Sequence, residues 1–397
     1  MEIEAYTRLE DAIAMGKKYP PKVKHSRVPV LEAVGKYSME EIRAPDDFPR
    51  KDRSAMDGYA LDSKETISAS KTNPAVFDIV GELFPSSKAT RKVKEGEAVK
   101  VMTGAPMPEG TDAVVMMEDT EEYESKLKVF SPVRRFQNVS RKGEDIRKNF
   151  RIVRRGERIT PPHVAALYEI GVGEIKVCSL SIGILSTGDE IVSGDVKNTT
   201  QPLLISYFRI RGFQANGYGA VEDDLDKIKG KLDGMREDVI IVTGGTGPGE
   251  RDYLPYLVER EGRFIFRGLR IRPGRTTSLA LIKGRPVFVL SGLPVAALIA
   301  SENLIMRIVE GWFNLSREVR EIREGVLQRS IVNTLGFRSF VRVKIDESGG
   351  MTKVFPTRVT GSGVIYSVID ADGIVSLDEN VEGLEEGEKV KVEMLRW

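Results

Sequence analysis

The groups that could do chemistry in this chain are carboxylates, hydroxyls, guanidinium groups and backbone N–H groups set among glycines. It carries two histidines, His25 and His163, and one cysteine, Cys178. Histidine-rich metal centres and Ser-His-Asp catalysis therefore lack material, and any bound cation must be held by oxygen ligands. Cys178 lies in an apolar stretch with no partner for an internal disulfide, which fits a reduced, cytoplasmic protein and a buried thiol.

These groups converge on residues 238–275, DVIIVTGGTGPGERDYLPYLVEREGRFIFRGLRIRPGR. Residues 238–242 read as a strand buried on both faces. Thr243-Gly244-Gly245-Thr246-Gly247-Pro248-Gly249 follows, with four glycines that permit φ > 0 and leave N–H groups free to converge on a ligand. A helix is expected from about Arg251 to Glu261, stopped by Gly262. Strand, glycine turn and helix N-terminus together form an anion site, with Arg270, Arg272 and Arg275 close behind. The pattern is neither G-x-G-x-x-G nor a P-loop, and a tight turn with solvated arginines would also account for it.

The elements that must position these groups span several domains, because 397 residues exceed one ordinary core. With 60 basic and 59 acidic side chains the net charge is +1, which argues against a nucleic-acid binder working by bulk charge. The N-terminus has no apolar signal core, and the longest apolar stretch, residues 278–300, is broken at Lys283-Gly284-Arg285-Pro286, so no membrane segment is expected. A helix opens near Thr7, with Glu10 completing a capping-box pattern, and residues 30–42 predict a second. The charged loop at 45–59 holds Asp57, which could serve a ligand or close a turn onto its own backbone. Short strands follow from 75 to about 133, then a helix over 161–170. From 177 to about 312 strands and helices alternate, the sign of a mainly parallel sheet with ligands at the C-terminal strand ends. Thr187-Gly188-Asp189-Glu190 and the glycine loop both fall at such ends. After 317 only strands are expected.

Several segments together resemble the molybdopterin molybdenumtransferase (MoeA) family, related to the E domain of gephyrin. They are Ser54-Ala55-Met56-Asp57-Gly58-Tyr59-Ala60, Met102-Thr103-Gly104-Ala105-Pro106-Met107-Pro108, Gly143-Glu144-Asp145-Ile146, Ser186-Thr187-Gly188-Asp189-Glu190, Thr243-Gly244-Gly245, Asp252-Tyr253 and Arg272-Pro273-Gly274. The resemblance spans essentially the whole chain. It implies a multidomain α/β plus β fold. A split helical linker domain would lie at 1–46 and 141–176, and a β-rich insertion at 47–140. A central, mainly parallel α/β domain would lie at 177–316, and a small barrel-like β domain at 317–397. The resemblance also implies a homodimer, with the α/β domain facing domains of the partner subunit.

The implied reaction is Mg²⁺-dependent: adenylylated molybdopterin is hydrolysed with release of AMP while molybdate passes to its dithiolene sulfurs. Carried over residue by residue, the resemblance makes Asp57, Glu190, Asp145 and Asp252 catalytic, with Asp223 and Asp252 on the cation. It assigns substrate binding to Thr103, Thr187, Gly188, Asp189, Gly244, Gly245, Thr246, Gly247, Arg272, Gly274, Arg275, Arg338 and Ser362. Arg272 and Arg275 stand where the family usually has lysine, and a planar fork is not a compact ammonium. Further departures are Leu290-Ser291-Gly292-Leu293-Pro294-Val295, Arg275-Thr276, Lys197-Asn198-Thr199 and Thr246-Gly247-Pro248. Tungstate is an alternative to molybdate, since the dianions are nearly alike in size and charge. A pterin-binding or scaffolding paralogue with altered catalysis is the competing expectation.

Overall fold

The computed structural model describes residues 5–88, 92–245, 253–357 and 363–395. The chain divides into two compact units, one of Met1–Glu40, Arg154–Val164 and Gly173–Trp397, the other of Glu41–Val153 and Ala165–Val172.

The first unit is built on a six-stranded sheet ordered Gln214–Val221, Ser181–Thr187, Val239–Thr243, Arg285–Leu290, Ser278–Ile282, Gly262–Arg267. The first four strands run parallel and the last two join antiparallel. Every position of Val239–Thr243 is buried, because alternate side chains serve opposite faces. Val239 and Ile241 pack with Leu204, Phe208 and Ile299, whereas Ile240 and Val242 pack with Ile228, Leu254 and Leu257. A strand covered on both faces loses the alternating pattern and reads as an unbroken apolar run. Each such side chain contributes about 1.5–3 kcal/mol by leaving water.

One expectation needs correction. Residues 30–42 form no α-helix, only the 3₁₀ turn Val30–Ala33; Gly35 takes φ +81°, and the Met39 N–H bonds to the Lys176 carbonyl, so tertiary pairing overrides local propensity. The last helix of the alternating segment is interrupted: Pro294–Ala300 passes through a π turn, Ser301–Ile305, into Met306–Phe313. The helix stops at Gly262 as expected: Tyr253–Glu261 ends and Gly262 opens a strand directly. Its lack of a side chain is needed there, since a Cβ would stand 1.8 Å from the Leu281 carbonyl oxygen. Cys178 is 3% exposed, and burial pushes its thiol up to about 11.

Past residue 317 five strands close into a barrel: Ile322–Leu327, Lys353–Pro356, Arg338–Asp346, Gly373–Leu377 and Lys389–Met394, the last pairing with the first. Val341, Val343, Val375, Leu377, Val390 and Val392 fill it at the alternate positions that face inward. A buried ionic cluster ties barrel to sheet domain. Glu302, on the π turn, meets Arg211 at 2.9 Å and Arg320 at 2.7 Å, and accepts a hydrogen bond from the Tyr207 hydroxyl. Arg211 also holds Glu318 at 2.9 Å.

The second unit carries a sheet ordered Ala113–Met116, Gly58–Leu61, Glu97–Val101, Ala75–Leu83, Lys126–Val129, Thr120–Tyr123. Both of its faces are apolar: Tyr59, Leu61, Ala98 and Val115 lie in one cluster, Ala60, Val99, Val101 and Val114 in the other. Among the described residues no helix is long and apolar enough to cross a membrane.

Removing the shared acceptor of the ionic cluster leaves two guanidinium groups short of a partner. Glu302→Ala is therefore expected to lower stability by about 3–5 kcal/mol, read as a shift in the urea unfolding midpoint.

Candidate functional site

The sheet order puts a switch point between Ser181–Thr187 and Val239–Thr243, because the chain leaves the first toward one neighbour and the second toward the other. The register sets Ser186 opposite Thr243, and their hydroxyls lie 2.9 Å apart. Ser186 also reaches Asn198 Oδ1 at 3.2 Å. Thr187 and Gly244 then cross closely. Gly244 has φ +99°, and a Cβ there would stand 2.3 Å from the Thr187 carbonyl oxygen and 2.9 Å from its Oγ1. Among the described residues the buried Thr187 Oγ1 has no hydrogen-bond partner. Gly188 and Gly244 donate their N–H groups to the Val221 and Leu290 carbonyls, at 3.1 and 3.0 Å. Those N–H groups are thus not free donors, as the sequence suggested; the two glycines provide close approach instead. Gly245, also in the left-handed region at φ +61°, continues the turn.

Acidic groups border this crossing. Asp189 Oδ1 accepts the Asp223 N–H at 3.0 Å, so two carboxylates of neighbouring strand ends share one place. Glu190 folds back over Gly188, where an added Cβ would lie 2.6 Å from its Oε1. Asp189 and Glu190 are exposed and Asp223 is half-buried.

Cations lie where the sheet domain meets the barrel. Ile271–Arg272 pairs with Arg338 and Ser339 of the barrel strand. Arg272 donates to Thr334 Oγ1 at 2.6 Å and lies over the Phe337 ring, 5.0 Å from its centroid. Gly274, at φ +111°, packs its Cα side on Ile271 and the Ala296 carbonyl. The Arg275 carbonyl accepts the Leu269 N–H at 2.8 Å, and its side chain is exposed. Arg338 is held by carboxylates, Glu10 and, at 2.9 Å, Asp378.

Two further residues singled out by sequence belong to the second unit. Asp57 Oδ1 accepts from the Thr103 N–H at 2.7 Å and from its hydroxyl at 2.8 Å. These bonds, the backbone one first, hold the Asp57 carboxyl below its ordinary range. Thr103 is therefore the partner of Asp57, and the turn is fastened further by Ser54, which donates to the Ala105 carbonyl and accepts from Gly104 through its own. Asp145 is exposed on a turn anchored through its N–H to the Phe48 carbonyl. Thr246, Gly247, Asp252 and Ser362 lie outside the described residues.

The residues that sequence did not mark are the partners: Asn198 for Ser186, Thr334 and Phe337 for Arg272, Glu10 and Asp378 for Arg338. Each meets its partner through strand register or helix packing, and no local pattern announces that. Glu10 alone carried a signal, but it was that of a helix cap. No capping hydrogen bond forms at that helix.

A doubly wound sheet with a close backbone crossing at its switch point, followed by a barrel, defines a class of multidomain α/β protein. The same architecture recurs in the solved structure of a molybdopterin biosynthesis MoeA protein from Pyrococcus horikoshii, with a TM-score of 0.83 and 28% identity over 99% of this chain and all of that one. Three family models match in order: the MoeA N-terminal region (domain I and II) at 4–171, a probable molybdopterin binding domain at 183–310, and the MoeA C-terminal region (domain IV) at 324–395. A Methanocaldococcus jannaschii protein named for molybdopterin biosynthesis is 37% identical, covering 94% of this chain and 93% of its own. The molybdopterin molybdenumtransferase of Bacillus subtilis is 30% identical, with 93% and 89% covered. The chain belongs to the MoeA family, a family of enzymes.

Two substitutions probe the geometry. Gly244→Ala must place a methyl group against the Thr187 carbonyl at a left-handed φ, an expected loss of at least about 1–3 kcal/mol in urea unfolding. Thr103→Val keeps the backbone hydrogen bond to Asp57 and removes the hydroxyl one. The Asp57 pKa should then rise part of the way toward about 3.9, followed by carboxyl ¹³C chemical shifts across an acid titration.

Proposed function

We propose that the chain is a molybdopterin molybdenumtransferase acting, as a cytoplasmic homodimer, on adenylylated molybdopterin: AMP is released by hydrolysis and molybdate, or tungstate, passes to the dithiolene sulfurs. The observation that carries the reading is the close crossing of Thr187-Gly188 and Thr243-Gly244 at the switch point, the position where doubly wound sheets receive their ligands. The Thr187 hydroxyl, without a hydrogen-bond partner among the described residues, is a donor suited to an anionic ligand. Family membership supports the same reading, as do the names of its relatives.

In this chemistry the nucleophiles are the substrate's own sulfurs, which suits a chain with one buried cysteine. The protein's task is to bring two anions together and neutralise them, an effect of positioning and fixed charge. Arg272 and Arg275 supply positive charge for the oxyanion, and Arg338 joins them through strand pairing. Asp57, kept ionised by Thr103, accepts a hydrogen bond from the substrate or from the hydrolytic water. Glu190, Asp145 and Asp252 are the remaining acids of the reading.

Magnesium fits the donor set. Asp223 would hold it, beside Asp189, and both offer hard carboxylate oxygens. Among the described residues no three His, Cys, Asp or Glu side chains cluster as a complete cage. A Mg²⁺ site of one or two carboxylates completed by water and phosphate oxygens is the common arrangement. When bound, the ion supplies neutralisation of phosphate charge.

The test is AMP release by purified protein supplied with adenylylated molybdopterin and Mg²⁺, run once with molybdate and once with tungstate. Release with either oxyanion is expected; pterin binding without release from both would replace the transferase by the scaffold reading. Asp57→Asn and Asp223→Asn should each keep the fold, judged by circular dichroism, and lower turnover by about 10²–10⁴-fold. Omitting Mg²⁺ should have a similar effect on wild-type protein, and unchanged rates in both variants would remove the site assignment.

A further inference from the structure

We propose that Glu10 and Asp378 set the oxyanion affinity of the enzyme by competing with it for Arg338. The inference rests on the reading that Arg338 helps receive molybdate or tungstate, and it concerns what that guanidinium does otherwise. Arg338 begins the barrel strand opposite Ile271, one position from Arg272. One of its terminal nitrogens donates to Glu10 Oε1 and the other meets Asp378 Oδ1 at 2.9 Å. Its Nε is buried and, among the described residues, has no hydrogen-bond partner. Its two terminal donors are only loosely claimed.

The claim is loose because both carboxylates face water. The Glu10 side chain is 53% exposed and that of Asp378 70%, against 21% for Arg338. Exposed pairs of this kind are weak and screened by salt. They also arrive from unrelated places: Glu10 from the first turn of helix Leu9–Gly16, Asp378 from just beyond the barrel strand Gly373–Leu377. Either can release without unpicking the other. A tetrahedral dianion offers twice the charge of each carboxylate and several oxygens to the two terminal nitrogens of the same fork. On its departure the two carboxylates return, so the half-buried cation is never left without an anion.

Isothermal titration of molybdate alone into full-length protein tests this. Glu10→Gln and Asp378→Asn should each bind molybdate about two- to fivefold more tightly, the range set by exposed ion pairs, and the double variant more tightly still. Asp11→Asn, which removes a neighbouring charge from the same helix without touching Arg338, should stay within about twofold of wild type by the same scale. Unchanged or weaker binding in Glu10→Gln and Asp378→Asn, with binding lost in Arg338→Ala, overturns the competition while leaving Arg338 as the oxyanion ligand. A tightening by Asp11→Asn equal to theirs also overturns it, since net charge would then suffice. If Arg338→Ala and wild type behave alike, including the case that neither binds, the underlying reading of Arg338 itself fails.

Discussion

Everything at the proposed site depends on one close contact, the passage of the Gly244 backbone across the Thr187 carbonyl. Parallel register brings Ser186 and Thr243 side by side, and the next residue of each strand must leave the sheet in a different direction. A Cβ at 244 would collide with the Thr187 carbonyl. The crossing is therefore a property of the backbone, fixed by sheet pairing before any side chain is considered. Asp189 and Asp223 then fall beside it because each is the second residue past the end of one of two adjacent strands.

Charge is organised differently in the rest of that unit. The Glu302–Arg211–Arg320 cluster is buried, a joint between sheet domain and barrel. The Arg338 cluster pairs a half-buried guanidinium with two exposed carboxylates. The two lie in the same unit and use the same chemistry. Burial makes the first costly to break, whereas water makes the second easy to exchange.

Much of this could be read from residues alone, and the reasons are specific. Val239–Thr243 announces itself because a doubly covered strand is a continuous apolar run, and the barrel strands do because they alternate. Thr187-Gly188-Asp189-Glu190 and Thr243-Gly244-Gly245 were placed at strand ends by the same periodicities. What could not be read depends on pairing at a distance. Residues 30–42 looked helical in composition, yet Met39 bonds to the Lys176 carbonyl. Gly262 stops its helix as it looked to, but only the position of Leu281 explains why the strand it opens needs a glycine there. Thr103 was singled out for a ligand, and its hydrogen bonds to Asp57 were not legible in the sequence. Glycine turns suggested open donors, whereas two of their N–H groups are consumed by the sheet. Sequence thus reveals which backbone is unusual more readily than which partner makes it so.

Cys178 has a consequence of its own. With its thiol raised to about 11 and its side chain walled off in the core, it stays protonated at neutral pH. The protein thereby presents almost no thiolate to scavenge soft metal ions, to form mixed disulfides, or to be alkylated. In the proposed reaction the reactive sulfurs all belong to the pterin, so a reagent that silences the enzyme through sulfur would be acting on the cargo and not on the carrier.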